Sequence, residues 1–191
     1  TNALSRWLNV EVYKNGTTYR MNFESREENG KVKGGVVVNH LADTGEKTDK
    51  HGTLVTFMPD DRIFETVRFN TETISRRLKE LAFLNKGVHI YLTDERVTFG
   101  EGFLRKEYYY EGGLIDFVRD LNETKAPAFP DPVYLSGVVN NIEAEIAFQY
   151  TDAYTENIFS YVNNIPTTEG GTHETGFKVG LTTVSYTHLT L

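Results

Sequence analysis

The strongest constraint on how this chain folds is an Asn-Gly pair that joins two runs of alternating apolar and polar residues. The first run covers residues 10–14, the second covers residues 17–23, and Asn15-Gly16 lies between them. This pattern predicts a β-hairpin with a type I′ turn, because both central residues of that turn require positive φ angles. The chain therefore contains antiparallel sheet.

The remaining elements are predicted from hydrophobic periodicity and from Gly and Pro stops. The clearest helix begins at Thr71, which can cap it, and ends at Lys86-Gly87, with Ile74, Leu78 and Leu81 on one face. Further helices are predicted at residues 3–8 and 114–121. Strands are predicted at residues 36–38, 52–58, 88–92, 133–139 and 142–150, and residues 94–96 are expected to end the third of them. Asn140-Asn141 is expected to join the last two strands as a hairpin. A loop or second turn is predicted at residues 25–35, a polar turn-prone stretch at 43–51, an irregular pair of strand-like runs at 99–110, and an extended connection at 122–132. Because strands and helices do not alternate regularly, the pattern favours the α+β class.

A second dense stretch of local signals lies near the end of the chain. Residues 156–165 predict a strand that Pro166 stops, and Gly170-Gly171 then precedes Thr172, which opens a helix. The backbone N–H groups of this corner could surround a phosphate at the helix N-terminus. A strand-to-helix corner without a ligand uses the same residues, and the pattern favours that interpretation.

Composition and charge exclude several classes of protein. With 39% hydrophobic and 25% charged residues, the chain is typical of a soluble globular protein, as one large domain or two small ones with a join near residues 93–102. The absence of Cys excludes disulfides, thiolate metal sites and a Cys nucleophile. A net charge of -7 argues against a protein that binds nucleic acid with its whole surface, but it does not exclude a local basic face that contacts DNA.

The hydropathy of the chain and its first residues lead to expectations about its location and its completeness. No stretch is apolar for long enough to cross a bilayer and no secretory leader is present, so we expect a cytoplasmic protein without a membrane partner. The chain begins at Thr1 within a helix-like pattern, which we interpret as a fragment of a longer protein.

Few residues suggest chemistry by spacing alone. The five histidines are scattered, so no metal site is predicted, and nucleophile-elbow, Walker and dinucleotide-binding motifs are absent. Arg76, Arg77 and Lys79 form a basic patch, for which a solvated helix face is favoured over a binding surface.

Gly52-Thr53, at the start of a predicted strand, is a candidate ligand site. Glycine lets the backbone approach a ligand, and a Thr hydroxyl can both donate to and accept from a purine or its bound water. Ordinary strand entry explains the same pair, and spacing alone favours that explanation.

Several runs, taken in order, resemble one family. They are Asn2-Ala3-Leu4-Ser5 opening a helix, residues 81–87 (Leu-Ala-Phe-Leu-Asn-Lys-Gly), Tyr110-Glu111-Gly112-Gly113, and Glu156-Asn157-Ile158 through Asn163-Asn164-Ile165 to Gly170-Gly171-Thr172-His173. Together they resemble the bacterial DNA gyrase B family over nearly the whole chain. The paralogous B-type chain of topoisomerase IV shares most of these runs, and residues 174–178 lean towards gyrase.

The resemblance implies an organisation and an activity. Residues 1–98 correspond to the C-terminal half of a GHKL-type ATPase domain, and residues 99–184 to the first half of a transducer domain with a ribosomal-protein-like β-α-β fold. Residues 185–191 lie outside the match and are expected not to continue the preceding helix, as a non-native tail. The family uses ATP and Mg²⁺ to drive passage of one DNA duplex through another. Its partners are DNA, the gyrase A subunit and a second B subunit.

The resemblance also assigns the candidate site. Gly52 and Thr53 correspond to the strand start that helps to hold adenine through a water and carboxylate network. Lys14 corresponds to an Arg at the pocket rim where aminocoumarin inhibitors are held, and a Lys cannot form the bidentate contact of an Arg.

The resemblance assigns no catalytic residue and no metal ligand to this chain. The family's catalytic Glu, Mg²⁺-binding Asn, adenine-binding Asp and Gly-rich lid match positions before Thr1, and its γ-phosphate Lys matches a position after Leu191. We therefore expect the isolated chain to be inactive. The rival hypothesis is a stand-alone α+β module that acts by contact, and it would be favoured if no Gly-x-His-Gly-x-Gly-like run preceded Thr1.

Overall fold

The computed structural model describes residues 1–99, 102–153 and 155–189, and it divides into two compact units, Thr1–Phe69 and Asn70–Leu191. Helices and antiparallel strands occur without regular alternation, which confirms the α+β class. The domain join expected near residues 93–102 stays a prediction.

The first unit is a four-stranded antiparallel sheet with the strand order β3-β2-β1-β4. A single 3-10 turn, Asn2–Leu4, precedes the strands β1 (Ser5–Lys14), β2 (Thr17–Glu28), β3 (Lys31–Lys47) and β4 (Gly52–Pro59).

Turn chemistry sets the pairing of the first three strands. Asn15 and Gly16 have φ angles of 54° and 73°, and Lys14 lies opposite Thr17, so the predicted two-residue hairpin is confirmed. A second turn of the same kind lies at Asn29-Gly30. Both neighbouring strands are therefore longer than predicted, and β3 runs through the first part of the turn-prone stretch at residues 43–51.

The helix predicted at residues 3–8 is wrong beyond its first turn. Trp7 and Leu8 lie in β1 and point to opposite faces of the sheet, and only Leu8 is buried, with 5% of its surface exposed. The cause is tertiary: β1 pairs with β2 on one side and β4 on the other, which outweighs a local helical pattern.

In the described residues of the second unit, three helices are combined with three antiparallel strand pairs. Its elements are α1 (Thr71–Leu84), β5 (Ile90–Phe99), β6 (Gly102–Tyr108), α2 (Leu114–Leu121), β7 (Val133–Val139), β8 (Ile142–Phe148), β9 (Tyr161–Val162), β10 (Ile165–Pro166) and α3 (Thr172–Leu189). The predicted helices α1 and α2 and the hairpin around Asn140-Asn141 are confirmed. Among the described residues these strands pair only as hairpins, and the β-α-β arrangement of the transducer stays a prediction.

The core of the second unit is built around Phe83 of α1. Phe83 is 2% exposed, and its ring stacks on Tyr110, with centroids 3.7 Å apart, and on Phe117, with centroids 5.1 Å apart. Phe117 also contacts Phe159 at 5.7 Å, which brings the segment before β9 against α2. Aromatic side chains from α1 and from residues 110–117 thus pack together around Phe83, and Phe159, which is 53% exposed, lies at the edge of this cluster.

Three further expectations for the second unit are wrong. Residues 94–96 do not end β5, but they interrupt its pairing: the register shifts between Asp94 and Thr98, and the Asp94 carboxylate accepts from the amide and the guanidinium of Arg96. The strand expected at residues 156–165 is a short hairpin, since Asn163 and Asn164 both have positive φ angles (50° and 64°) and form its turn. The helix α3 continues to Leu189, against the expectation that residues 185–191 leave it. Residues 190 and 191 lie outside the described residues, and the non-native origin of this stretch stays a prediction.

Within the part of the chain that the structure describes, no helix is both long enough and apolar enough to cross a membrane.

Candidate functional site

The structure brings the three sequence-predicted site residues together at one end of the first unit's sheet. Lys14 is the last residue of β1, and Gly52-Thr53 begins β4 beside it. Gly52 lies opposite Tyr13 and Thr53 lies opposite Val12. Directly opposed residues share a face and residues two apart on a strand share a face, so Thr53 and Lys14 project from the same side.

The face that carries Thr53 and Lys14 is otherwise mostly apolar. Its cross-strand rows on β1, β2 and β4 are Leu8 with Phe23 and Phe57, Val10 with Met21 and Val55, and Val12 with Tyr19 and Thr53. Several of these side chains are open to solvent, and Val55 is 50% exposed. A hydroxyl and an ammonium at the end of an open apolar surface can bind the polar edge of a flat, largely apolar ligand.

Thr53 and Lys14 are exposed, and neither side chain has a hydrogen-bond or ion-pair partner among the described residues. Both groups are thus available to a ligand. Gly52 has a φ angle of 135°, which favours glycine, and a Cβ added there would meet nothing within 4 Å. The backbone at the strand start therefore has open space beside it.

The opposite face of the same sheet carries more polar residues, although Leu54 and Met58 also lie on it, and Glu11 is paired there with Arg20. Tyr13 and Arg20 both donate to the Glu11 carboxylate, at 2.7 Å and 2.9 Å. The hydrogen bond from Tyr13, followed by that from Arg20, lowers the pKa of Glu11. The Lys50 ammonium lies 5.4 Å from the Tyr13 ring centroid. The two faces thus differ in kind, and Thr53 and Lys14 lie on the apolar one, whereas Gly52 lies opposite Tyr13.

Sequence reasoning missed two matching carboxylate clusters, one in each unit. Asp60 accepts hydrogen bonds from the Arg62 backbone and guanidinium, at 3.0 and 2.9 Å, and from Ser25 at 2.5 Å. Asp94 accepts the same set from Arg96, at 3.1 and 2.8 Å, and from the Thr71 hydroxyl. The signal was an Asp-x-Arg pattern that occurs at both places, in Asp60-Asp61-Arg62 and Asp94-Glu95-Arg96.

These clusters stabilise the fold and offer no open ligand position. The Asp60 side chain is fully buried and that of Asp94 is 6% exposed. Hydrogen bonds from Arg62 and Ser25 hold the pKa of Asp60 well below its usual range, and those from Arg96 and Thr71 do the same for the pKa of Asp94.

The basic patch on α1 is largely neutralised. Arg77 donates to the Glu80 carboxylate at 2.5 Å and to the carbonyl oxygen of Asn164 at 2.7 Å. Lys79 donates to Asp120 at 2.5 Å, and this contact raises the pKa of Lys79. Two of the three cations thus join α1 to other parts of the unit, which differs from the solvated helix face that the sequence favoured.

The corner at Gly170-Gly171 has a local structural explanation. Gly170 has a φ angle of 75°, and a Cβ at Gly171 would lie 2.6 Å from Cε1 of the His173 ring. The ring packs there with its Nε2 3.1 Å from the Thr167 hydroxyl. The positive φ angle explains Gly170, and a side chain at Gly171 would displace the exposed His173 ring. No group of three or more His, Asp or Glu side chains among the described residues could hold a metal ion.

Known proteins resemble the chain in both sequence and fold. A DNA gyrase B family model matches residues 113–190. The B subunit of DNA topoisomerase 4 from Enterococcus faecalis is 46% identical over 95% of this chain and 25% of its own length. The B subunit of DNA gyrase from the same organism is 45% identical over 96% of this chain and 27% of its own length.

Solved structures agree with the sequence relatives. The 43K ATPase domain of Thermus thermophilus gyrase B, in complex with an aminocoumarin, superposes with a TM-score of 0.74 at 35% identity, covering 93% of this chain and 45% of that one. The B subunit of the Myxococcus xanthus gyrase superposes with a TM-score of 0.70 at 26% identity, covering 92% of this chain and 48% of that one.

The fold and these relatives define the class of the chain, which is that of the B-type subunits of bacterial gyrases and their topoisomerase IV paralogues. The chain belongs to the DNA gyrase B family. It spans about a quarter of the length of the curated relatives that it matches.

Proposed function

We propose that this chain is the part of a DNA gyrase B protein that contributes one wall of the ATP site and the adjoining transducer region. In the parent protein, ATP binding and hydrolysis drive DNA strand passage and supercoiling. The observation that carries the proposal is the position of Thr53 and Lys14 on one apolar sheet face, with Gly52 next to Thr53 at the same end of the sheet, in a chain whose relative from Thermus thermophilus is an ATPase domain.

In this proposal Thr53 contacts the adenine. Its hydroxyl projects from the apolar face without a partner among the described residues, so it can donate to or accept from the purine edge or a bound water. Gly52 lets the backbone approach, and Lys14 lies at the rim as a single point charge. The parent protein supplies the Mg²⁺ ligands from outside this chain.

The proposal extends to domains and partners. Residues 1–98 form the C-terminal half of the GHKL-type ATPase domain, and residues 99–184 form the first half of the transducer. The partners are DNA, the gyrase A subunit and a second B subunit that closes an ATP-dependent dimer gate. The protein acts in the cytoplasm.

Replacement of Thr53 by Val in the full-length protein tests the site. Loss of the hydroxyl leaves a polar group of the nucleotide or its water unpaired, so we expect binding to weaken by about 1–3 kcal/mol. The measurement is the nucleotide Kd by isothermal titration. Thr56→Val is the matched control, because Thr56 lies on the same strand opposite Asn9, on the polar face. An unchanged Kd for Thr53→Val, or an equal loss for Thr56→Val, would remove Thr53 from the site.

A second candidate, the B subunit of topoisomerase IV, is favoured by the 46% identical relative of that kind. The full-length protein distinguishes the two when it is combined with a gyrase A subunit and relaxed plasmid. ATP-dependent negative supercoiling identifies a gyrase. Decatenation with the paralogous A-type subunit, without supercoiling, identifies topoisomerase IV.

A further inference from the structure

The turn at Asn15-Gly16 combines three features that favour spontaneous chemistry of the main chain. Both residues are exposed, and the Asn15 carboxamide has no hydrogen-bond partner among the described residues. The Gly16 amide donates to no described acceptor, and a Cβ at Gly16 would meet nothing within 4 Å. The amide nitrogen of Gly16 is therefore accessible to the carboxamide carbon one residue before it.

We propose that Asn15 is a deamidation site whose main product is isoaspartate. The Gly16 amide nitrogen forms a bond to Cγ of Asn15, the carboxamide nitrogen leaves as ammonia, and the amide proton is lost with it. The resulting five-membered succinimide then takes up one water molecule. If the water attacks the main-chain carbonyl, the side-chain carboxyl carbon stays in the backbone and the product is isoaspartate. Attack at the other carbonyl gives aspartate.

Other asparagine turns of the same chain provide internal comparisons. Asn29-Gly30 is also an exposed Asn-Gly pair with φ angles of 54° and 71°. Asn140-Asn141 has similar angles, 51° and 63°, but the attacking nitrogen there belongs to a residue with a side chain. A side chain on that residue crowds the approach to the carboxamide, and glycine does not.

The position of Asn15 gives this modification a structural consequence. The two-residue turn sets the register in which Lys14 faces Thr17, and the Gly16 carbonyl accepts a hydrogen bond of 3.2 Å from the Thr48 amide. Isoaspartate adds one carbon atom to the main chain of a turn that has room for two residues only. It also adds a negative charge next to Lys14. The end of the sheet that carries Lys14, Gly52 and Thr53 is thus the part that changes.

The test is incubation of the 191-residue chain in mildly alkaline buffer, followed by peptide mass mapping and enzymatic methylation of isoaspartate. Because only Asn15 and Asn29 precede a glycine, we expect Asn15 to lose ammonia at least about tenfold faster than Asn140. Gly16→Asn is the matched variant, since Asn141 shows that asparagine accepts the same positive φ angle. It should slow reaction at Asn15 by a similar factor and leave Asn29 unchanged, with the circular dichroism spectrum preserved.

Two results would overturn the proposal. One is loss of ammonia from Asn15 in the unmodified chain no faster than from Asn140, which needs no variant. The other is a Gly16→Asn variant in which Asn15 reacts as fast as before. Aspartate without isoaspartate at position 15 would contradict the assignment of the main product.

Discussion

A single carboxylate in each unit illustrates how one residue can link distant parts of the sequence. Asp60 and Asp94 each bind the arginine two residues later and a hydroxyl from another element, Ser25 of β2 or Thr71 of α1. A buried carboxylate is costly unless its oxygens are fully hydrogen-bonded, and both clusters meet that condition. The clusters should therefore make stability depend on pH.

Asp60→Asn is expected to lower the free energy of unfolding at neutral pH and to reduce its pH dependence. The pKa of Asp60 is lower in the folded state, chiefly because Arg62 donates to it, than the value of about 4 in an unfolded chain. A group of this kind stabilises the fold fully above its unfolded pKa and loses that contribution as the pH falls through the folded pKa. The difference between wild type and variant should thus shrink on acidification below about pH 4.

Urea denaturation between neutral and acidic pH measures this effect. Asp61→Asn is the adjacent control, because Asp61 is exposed and its contact with Arg6 is long, at 3.7 Å. It should change stability little at any pH. A difference between wild type and Asp60→Asn that stayed constant with pH would contradict the role given to the ionised carboxylate.

Gly34→Ala is expected to destabilise the first unit by steric conflict. A Cβ at Gly34 would lie 2.0 Å from the carbonyl oxygen of Ala3, which is main chain and cannot rotate away. The 3-10 turn would have to move off β3, at a cost of about 2–3 kcal/mol. Gly137→Ala is the control, since a Cβ there meets nothing within 4 Å, and it should change stability by less than about 1 kcal/mol. Equal urea midpoints for the two variants would exclude the close contact at Ala3.

At the scale of elements, the hairpins were predicted best, because their turns use Asn and Gly residues that accept positive φ angles. The hairpins at Asn15-Gly16 and Asn140-Asn141 followed from residues that accept positive φ angles. The lengths of β2 and β3 did not follow, because the polar residues between 25 and 35 continue a ladder whose stability comes from the neighbouring strand. The same turn chemistry at Asn163-Asn164 was overlooked within an apolar run, and a strand was predicted in place of a hairpin.

The N-cap of α1 was predicted one residue late, at Thr71. Asn70 is the N-cap, and its side-chain oxygen accepts from the Thr73 amide at 2.9 Å, while the Thr71 hydroxyl binds Asp94. Both residues are good caps by type, so the choice depended on the position of Asp94 in β5. Distant contacts of this kind are not encoded in local spacing.

Asn70→Ala is expected to destabilise the second unit by about 1 kcal/mol through loss of this cap. Asn70→Asp keeps an accepting oxygen and adds a charge that the helix N-terminus favours, so it should retain the wild-type stability. The helical signal at 222 nm during thermal unfolding measures both variants. An alanine variant as stable as the aspartate variant would mean that the Asn70 side chain is not needed to begin α1.

At the scale of the whole molecule, the family resemblance predicted the candidate site residues Gly52, Thr53 and Lys14. The register between β1 and β4 then showed how these residues lie relative to one another. Spacing alone favoured ordinary strand entry at Gly52-Thr53. Only the pairing of β1 with β4 shows that Thr53 and Lys14 share the apolar face, although 39 positions separate them in sequence (53 less 14). Long-range pairing of this kind depends on the complete fold, so a local pattern could not supply it.

Hydrolysis of Mg-ATP by the isolated 191-residue chain is expected to stay at background. Phosphoryl transfer requires a positioned water, a metal and charge-stabilising groups held together, and in the proposed function this chain contributes only one wall of the nucleotide site. In the proposed site, Gly52, Thr53 and Lys14 bind the adenine ring, and none of them acts as the proton acceptor for the attacking water. A coupled phosphate-release assay with and without Mg²⁺ measures turnover, and the full-length protein is the positive control. Turnover by the isolated chain that depends on Mg²⁺ would show that it contains catalytic groups, and would contradict a role limited to one wall of the nucleotide site.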